Sequence, residues 1–270
     1  MTRITESMPQ DSTPADPLRA RLASGRIASG LVVVHSRQAQ IARIAASCGY
    51  HWLFVDLEHG ATGLDTATQI CVAALDAGIT PVVRVPANDP AWIGRVLDGG
   101  AVGVVVPHVD SRQDAERAAD AVRYPPAGSR SLSGLQPQFG YQAIPAGELM
   151  RRADALTLLI GIIETGEAIA RIDEIAAVPG MDALQIGTND LSVSLGVPGE
   201  VDHPRVQEAV GRTIAACRRH GKIPVLGGAY REEALRRYAD MGIRMMLVGN
   251  DLSLLIGALR ARAAFAAELS

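Results

Sequence analysis

The sequence predicts a single-domain (β/α)8 barrel, an α/β fold, and three observations favour it. The chain has 270 residues, which suits one barrel of this kind. Eight short apolar runs alternate with helix-like segments, as expected when each strand of a parallel sheet is followed by a helix. The runs are nearly continuous in Val, Ile and Leu, which is typical of strands buried on both faces.

The predicted elements follow one another regularly along the chain. The strands cover residues 29–35, 52–57, 81–86, 102–107, 157–164, 183–188, 223–228 and 244–249. The helices cover residues 37–48, 64–77, 90–98, 111–122, 166–177, 204–220, 230–240 and 251–268. Helix 90–98 has a clear start, because Asn88-Asp89 precedes a proline at its first position.

Two segments depart from this alternation. Residues 1–17 mix Thr, Ser, Pro and acidic residues, which predicts a flexible N-terminal tail before a barrel domain at 18–270. Residues 124–156 form a long insertion rich in Pro, Gly and Ser, with a short helix near 145–153. A loop of this length in a compact domain commonly has a functional role.

The composition argues against several classes of protein. The net charge of −3 comes with no basic patch, so nucleic acid is not an expected partner. No apolar run reaches the length of a membrane span, and the N-terminus lacks the apolar centre of a signal peptide, so we expect a cytoplasmic protein with no membrane partner. Cys48, Cys71 and Cys217 lack the spacing of a zinc site and are expected to be small core residues.

Polar residues at the carboxyl ends of the strands are the site candidates, because a barrel of this kind has its active site there. Glu164 and Asp190 end neighbouring strands, and two carboxylates suit a hard cation such as Mg2+ or Mn2+. Each carboxylate could instead cap the segment that follows it, which is the helix 166–177 for Glu164 and the turn after Leu191 for Asp190. Arg84 lies in an apolar strand, where an inward arginine needs an anionic partner, either a carboxylate or a substrate.

Other strand ends and one helix end carry further candidates. His59 follows the second strand with Asp56 nearby, so it could act as a general base, or it could pack on the next helix as a loop residue. Asp98 ends a predicted helix, where a solvated acid is the simple alternative. His35 and His108 are interpreted as residues of the cavity wall.

Lysine provides an exclusion. The chain contains one lysine, Lys222, which precedes the seventh strand and therefore lies at the end of the barrel opposite the active site. A Schiff-base aldolase needs a lysine amine at the reacting carbon. Metal-stabilised enolate chemistry is the alternative that the residues leave for forming a carbanion.

Five motifs in order resemble those of the class II hydroxy-oxo-acid aldolases, from about Gly25 to the C-terminus. The family includes 4-hydroxy-2-oxoheptanedioate aldolase and 2-dehydro-3-deoxyglucarate aldolase, within the phosphoenolpyruvate/pyruvate barrel superfamily. The motifs are FVDLEHG at 54–60, PVVRVP at 81–86, RYPPAGSR at 123–130, IET at 163–165 and IGTNDLS at 186–192.

The resemblance implies a metal-dependent aldolase that reversibly cleaves 4-hydroxy-2-oxo acids to pyruvate, or a close 2-oxo acid, and an aldehyde. It implies that Glu164 and Asp190 bind Mg2+, Mn2+ or Co2+, which stabilises an enolate. Arg84 matches the arginine that contacts the keto oxygen, and His59 matches the base. Asp98 matches the acidic partner of that base, and Asp56 matches an acid that orders metal-bound water. The backbone amides of Gly187, Thr188 and Asn189 match those that bind the carboxylate of the 2-oxo acid.

The resemblance also implies a homo-oligomer, a trimer or a hexamer, in which the last helix is exchanged between subunits. The apolar, Ala-rich segment 251–268 is compatible with that exchange. The sequence departs from the family pattern at Ile162, where relatives carry Gln, at Thr188-Asn189, at Ser131 and at His35. We therefore expect the family chemistry with a different substrate preference, set by the 124–156 loop, His35 and a neighbouring subunit.

Three other functions fit part of the pattern. Oxaloacetate decarboxylation needs the same enolate and the same metal. A phosphosugar enzyme would use Gly227-Gly228 and Gly249-Asn250, which follow the last two strands where many barrels bind phosphate. However, a phosphosugar enzyme would have no common functional role for Glu164, Asp190 and Arg84. A non-catalytic 2-oxo-acid binding protein is the third alternative, and the presence of His59 argues against it.

Overall fold

The computed structural model describes residues 17–269, in which eight parallel strands form a closed barrel in sequential order. This confirms the predicted (β/α)8 fold, and every strand boundary lies within two residues of its predicted position. The strands are β1 (Ala28–Val33), β2 (Trp52–Asp56), β3 (Thr80–Arg84), β4 (Gly103–Val106), β5 (Leu158–Ile163), β6 (Ala183–Gly187), β7 (Ile223–Gly227) and β8 (Met245–Asn250).

Helices connect the strands and surround the barrel. They are α1 (Pro17–Ala23), α2 (Ile41–Ser47), α3 (Leu64–Asp76), α4 (Pro90–Asp98), α5 (Arg112–Val122), α6 (Ala146–Leu156), α7 (Gly166–Ala170), α8 (Ile172–Ala176), α9 (Thr188–Ser194), α10 (Pro204–His220), α11 (Glu232–Asp240) and α12 (Asp251–Ala267). In the part of the chain that is described, no helix is both long and apolar enough to cross a membrane.

The structure differs from the predicted helices in a few places. The segment predicted as one helix at 166–177 is divided into α7 and α8 at Arg171, and Arg212 donates to the carbonyl of Ile169 at 2.9 Å beside this break. The sequence pattern did not predict α9, and α6 is longer than the predicted 145–153. The predicted tail lies outside the described residues except for Pro17, which begins α1.

Side chains alternate between two apolar layers along each strand, as the pleat requires. One layer fills the barrel interior and the other packs between the strands and the helices. The interior layer is closed below by Leu18 of α1 and by Trp52, whose indole N–H donates to the Ala28 carbonyl at 3.2 Å. Because the interior is filled from below, open space remains only toward the carboxyl ends of the strands.

The 124–156 insertion is anchored to the barrel. Its own apolar cluster contains Tyr124, Phe139 and Leu149. Below this cluster the buried Arg123 donates to the carbonyl of Asp154 at 2.8 Å and pairs with Asp182 at 2.5 Å. The insertion is therefore a packed element of the domain.

The cysteines only partly match the prediction that all three belong to the core. Cys71 and Cys217 are buried, and burial raises the pKa of both thiols to about 12, which makes them poor nucleophiles. The prediction is wrong for Cys48, which is exposed. The reason is that α2 ends at Ser47, so Cys48 follows the helix and faces solvent.

The contact between Gly30 and Trp52 gives a stability prediction. A Cβ atom at Gly30 would lie 2.3–2.7 Å from three atoms of the Trp52 indole. We expect Gly30→Ala to lower the free energy of unfolding by about 1–3 kcal/mol, as overpacking of a filled core does. Urea unfolding of the metal-free protein measures the change. The control is Gly147→Ala in α6, where nothing lies within 4 Å of the added methyl group, and equal losses in the two variants would contradict the packing argument.

Candidate active site at the carboxyl ends of the strands

A cavity of about 240 Å3 opens at the carboxyl ends of the strands. Its floor is apolar and comes from the barrel interior, whereas its rim is polar. Of the nine residues that the sequence singled out for the site, eight line this one cavity. They are Asp56, His59, Arg84, Glu164, Gly187, Thr188, Asn189 and Asp190.

Arg84 is the centre of an ion-pair network on one side of the cavity. Its Nε donates to Asp56 Oδ1 at 2.9 Å and its Nη2 to Asp56 Oδ2 at 2.5 Å, and both side chains are buried. Its Nη1 lies 2.8 Å from Glu58 Oε2. Although burial acts in the opposite direction, the bonds to Asp56 and the charges of Asp56 and Glu58 raise the pKa of Arg84. The guanidinium is therefore charged at every accessible pH.

Glu164 lies on the neighbouring side of the cavity, at the end of β5. Its Oε1 accepts the backbone N–H of His108 at 2.9 Å and lies 2.8 Å from Nδ1 of the same histidine. His108 adopts a left-handed backbone conformation (φ 54°) that brings both its N–H and its ring to Glu164. Its Nε2 also lies 3.4 Å from Glu58, so His108 bridges two carboxylates.

Neither Glu164 nor Asp190 caps a helix, which was the alternative open to each of them. Thr165 caps α7, where its side chain accepts the backbone N–H of Ala168. Asp190 lies inside the first turn of α9, whose N-cap Gly187 makes no side-chain bond. Helix capping therefore occupies neither carboxylate, and both line the cavity.

The charges at the cavity favour a cation between these carboxylates. Asp56, Glu164 and Asp190 line the cavity together with one guanidinium, that of Arg84, and a fourth acidic residue, Glu58, pairs with that guanidinium. Burial raises the pKa of Glu164, and the charges of Asp190 and Glu58 raise it further. A carboxylate whose ionised form is disfavoured by burial and by neighbouring negative charge gains most from a bound cation. The donor set therefore fits a divalent metal ion.

The protein donates few of the ligands that such an ion needs. Within residues 17–269, no three His, Cys, Asp or Glu side chains are grouped closely enough to hold an ion by themselves. Mg2+ commonly binds one or two carboxylates and completes its shell with water and substrate oxygens. Glu164 and Asp190 match that arrangement.

The turn between β6 and α9 allows a close approach to Glu164. A Cβ atom at Gly187 would lie 3.3 Å from Glu164 Oε2. The Thr188 hydroxyl donates to the carbonyl of Gly227 at 3.0 Å and holds the turn against β7. Gly228 has φ of +92°, and a side chain there would lie 2.6 Å from the Thr188 hydroxyl oxygen. This turn therefore presents its backbone to the cavity.

His59 lies at the rim, where its side chain is 63% exposed. Its backbone N–H donates to Asp56 Oδ1 at 3.2 Å, and its Nε2 is 3.9 Å from Glu58 Oε2. The Asp56 carboxylate thus orients two groups. One is the guanidinium of Arg84, and the other is the loop that carries His59. The ring itself is accessible to a substrate that enters from solvent.

Asp98 does not join the other predicted residues in this chain. It ends α4, accepts from Arg130 at 2.9 Å and lines a different cavity, together with Ser129 and Ser131 of the insertion. His35 is exposed and lies outside the lining of the main cavity, as does every residue of the 124–156 insertion. Within one chain, therefore, neither His35 nor the 124–156 insertion contacts the main cavity.

Sequence reasoning missed several residues at the site. It gave Glu58 no role and treated His108 only as a wall residue, because the ion pairs that connect them to Arg84 and Glu164 depend on distances across the barrel. Gln185 also lines the cavity, and a polar side chain in the apolar run ALQIG of β6 was the available signal.

Tyr230 lines the cavity as well, after β7. Burial raises the pKa of its hydroxyl group, so that group stays protonated at neutral pH. The sequence analysis did not single out Tyr230, which lies three positions beyond the last residue of β7.

Comparisons with known proteins identify relatives along most of the chain. A family model described as HpcH/HpaI aldolase/citrate lyase matches residues 30–258. The chain is 35% identical to a 4-hydroxy-4-methyl-2-oxoglutarate aldolase from Hapsidospora irregularis, over 92% of this chain and 94% of that protein. It is 37% identical to a hydroxypyruvate/pyruvate aldolase from Delftia acidovorans, over 90% of this chain and 89% of that protein.

A solved structure of an aldolase has the same fold as this chain. The crystal structure of an HpcH/HpaI aldolase from Desulfitobacterium hafniense DCB-2 matches with a TM-score of 0.88 and 28% sequence identity. The match covers 94% of this chain and 97% of that chain.

The buried ion pair predicts a coupling between Arg84 and Asp56. Arg84→Met should lower the free energy of unfolding by about 2–4 kcal/mol, because it leaves a buried carboxylate without its counter-charge. Adding Asp56→Asn to that variant should recover part of the loss, since the unpaired charge is then removed. Urea unfolding of the two single variants and the double variant at pH 7, without metal, measures the coupling. Strictly additive losses would show that the pair does not act as a unit.

Proposed function

The chain belongs to the HpcH/HpaI aldolase/citrate lyase family and is a carbon–carbon lyase, and we propose that it cleaves 4-hydroxy-2-oxo acids reversibly to pyruvate, or a close 2-oxo acid, and an aldehyde. The family match agrees with the resemblance that the five motifs carry. One observation supports the proposed reaction above all: an arginine, a pair of carboxylates and an accessible histidine line one cavity at the ends of the strands.

Glu164 and Asp190 would hold the divalent metal ion, Mg2+, Mn2+ or Co2+. When bound, the ion supplies positive charge that stabilises the enolate form of the 2-oxo acid. The carboxylate and carbonyl groups around the cavity do not favour one of these metals over another by chemistry alone.

Arg84 and the turn after β6 position the 2-oxo acid. Arg84 is held by Asp56 and Glu58, and each of its terminal nitrogens carries a second N–H that can donate to the keto oxygen. The backbone amides of 187–189 receive the carboxylate, on the opposite side of the cavity. Fixed donors of this kind stabilise negative charge on the keto oxygen without reorganisation during the reaction.

His59 performs the proton transfer in this mechanism. In the cleavage direction it takes the proton from the C4 hydroxyl, the C3–C4 bond breaks, and its electron pair remains on the 2-oxo acid as an enolate while the aldehyde leaves. Protonation at C3 then gives the 2-oxo acid. The exposed position of His59 suits this role, because the aldehyde half enters and leaves at the rim.

We further propose that the protein acts as a homo-oligomer, a trimer or a hexamer, in the cytoplasm. Helix α12 has no buried residue, and it exposes a set of large apolar side chains that a second copy of the chain would cover. They are Leu252, Leu254, Leu255, Ile256, Leu259 and Phe265. Asp98 and the insertion, which lie away from His59 within one chain, would reach the site of a neighbouring subunit.

Removal of the metal tests the proposed reaction. Treatment with EDTA should abolish release of pyruvate from 4-hydroxy-2-oxoheptanedioate, and excess Mg2+ or Mn2+ should restore it. Glu164→Gln and Asp190→Asn should each lower kcat/KM by about 100-fold or more even with added metal, because a ligand is lost. The control is Glu116→Gln, an exposed residue of α5 paired with Arg112. Full activity in metal-free protein would exclude the mechanism.

Mixed oligomers test the role proposed for Asp98. His59→Ala and Asp98→Ala should each be nearly inactive alone. When the two are co-expressed, a subunit with an intact His59 can face one with an intact Asp98, so about a quarter of the sites should be restored in a symmetric assembly. Light scattering confirms the assembly, and preparations of each variant alone are the controls. Oligomers without regained activity would contradict the shared site.

A further inference from the structure

Tyr230 is a half-buried phenol in the lining of the active-site cavity, and the proton transfer assigned to His59 does not involve it. Its ring packs against the apolar layer of the barrel interior, while the charges of Arg84 and Asp56 act on its hydroxyl group. That hydroxyl group makes no hydrogen bond with any residue between 17 and 269. Polar groups with little access to water are rarely left unpaired, so this phenol is available to a ligand in the cavity.

The barrel places this phenol across the cavity from Arg84. In a closed sheet of eight strands in sequential order, β3 and β7 are four strands apart and therefore face each other. Arg84 is the last residue of β3, and Tyr230 follows β7 after two residues of the turn. A 2-oxo acid held by Arg84 therefore has the phenol on its other side.

The donors proposed for the 2-oxo acid leave its C3 carbon without a contact. Arg84 binds the keto oxygen and the amides of 187–189 bind the carboxylate, so C3 faces the rest of the cavity wall, which comes from β7, β8, β1 and the loops after them. Among the described lining residues of that side, Tyr230 is the one whose side chain carries an ionisable proton. The others are Val32, Val34, Gly227, Gly228, Leu247 and Asn250.

Cleavage creates a need for a proton at C3. When the C3–C4 bond breaks, its electron pair remains as an enolate, and the 2-oxo acid forms only after C3 is protonated. Arg84 is charged at every accessible pH and does not release a proton. His59 lies at the exposed rim, where the proton that it takes from the C4 hydroxyl exchanges with solvent. The phenol of Tyr230 holds a proton at neutral pH, because burial raises its pKa.

We propose that Tyr230 is a catalytic acid that donates its hydroxyl proton to C3 of the enolate. This inference rests on the proposed function and adds a second proton-transfer residue to it. The phenol O–H bond breaks, the proton forms a C–H bond with the electron pair of the enolate, and the charge of Arg84 stabilises the tyrosinate that remains. Solvent returns a proton to the tyrosinate, and His59 releases to solvent the proton that it took, so protons balance. In synthesis the tyrosinate removes the C3 proton.

Deuterium exchange into pyruvate isolates this step, because it needs no aldehyde. The Mg2+-loaded wild-type protein in D2O should exchange the methyl protons of pyruvate, which proton NMR follows as loss of the methyl signal. Tyr230→Phe removes one hydroxyl group that bonds no described residue. It should lower kcat of exchange by about 100-fold or more and change KM for pyruvate by less than about threefold. Tyr230→Leu is the second variant should the phenylalanine variant fail to fold by circular dichroism.

The matched control is Tyr50→Phe, which removes the hydroxyl group of a half-buried tyrosine at the amino end of β2, away from the cavity. It should exchange at the wild-type rate. Exchange by Tyr230→Phe at the wild-type rate would overturn the proposal, because another group then supplies the proton. A raised KM with an unchanged kcat would overturn it as well and make the phenol a binding residue only.

An absorbance titration of the metal-free protein measures the phenol without turnover. The difference in tyrosinate absorbance between the wild-type protein and Tyr230→Phe should show a phenol that ionises above the ordinary tyrosine pKa of about 10. The reason is that burial and the charge of Asp56 raise the pKa of Tyr230 by more than the charge of Arg84 lowers it. A phenol already ionised at pH 7 would contradict the role of a proton donor.

Exchange and cleavage together separate this inference from the proposed function. Exchange that is lost in Tyr230→Phe would support the phenol as the acid even if no 4-hydroxy-2-oxo acid were cleaved, and the proposed reaction alone would then fail. Cleavage without exchange, or with exchange unchanged in Tyr230→Phe, would reject the role of Tyr230 and leave the proposed reaction standing. A wild-type protein that catalyses neither would overturn both.

Discussion

The ion pair between Arg84 and Asp56 is the constraint on which the candidate site depends. Arg84 extends from an apolar strand into a barrel whose interior is filled by hydrocarbon, so its charge needs a fixed partner. Asp56 provides that partner and also accepts the backbone N–H groups of Glu58 and His59. One buried carboxylate therefore fixes the guanidinium, the second acid and the loop that carries the candidate base.

The rest of the cavity follows from an excess of negative charge. The guanidinium offsets only part of the charge of four neighbouring carboxylates, and His108 bridges two of them from a left-handed backbone position. Burial and the charges of Asp190 and Glu58 raise the pKa of Glu164, so the ionised form of this residue is the one that the arrangement disfavours. A cation bound between these carboxylates would offset their charge and would favour the entry of an anionic substrate.

The floor of the cavity has a different role from its rim. The rim carries the groups that any 2-oxo acid would meet, and these match the family motifs. The floor combines apolar side chains, among them Ile162, with one amide, that of Gln185. The charged groups and the apolar surface beneath them therefore belong to different layers of the same barrel.

The sequence by itself determined the fold class and the strand order, because buried parallel strands leave a continuous apolar signal. Of the nine residues that it singled out for the site, eight line the cavity, because the carboxyl ends of the strands must converge in a barrel. It could not decide the contacts across the barrel. The bridge from His108 to Glu164, the unpaired amide of Gln185 and the separation of Asp98 from His59 within one chain were decided only by the tertiary structure. Such contacts join residues far apart in the chain, and their distances depend on how the strands close and on how α4 packs outside them.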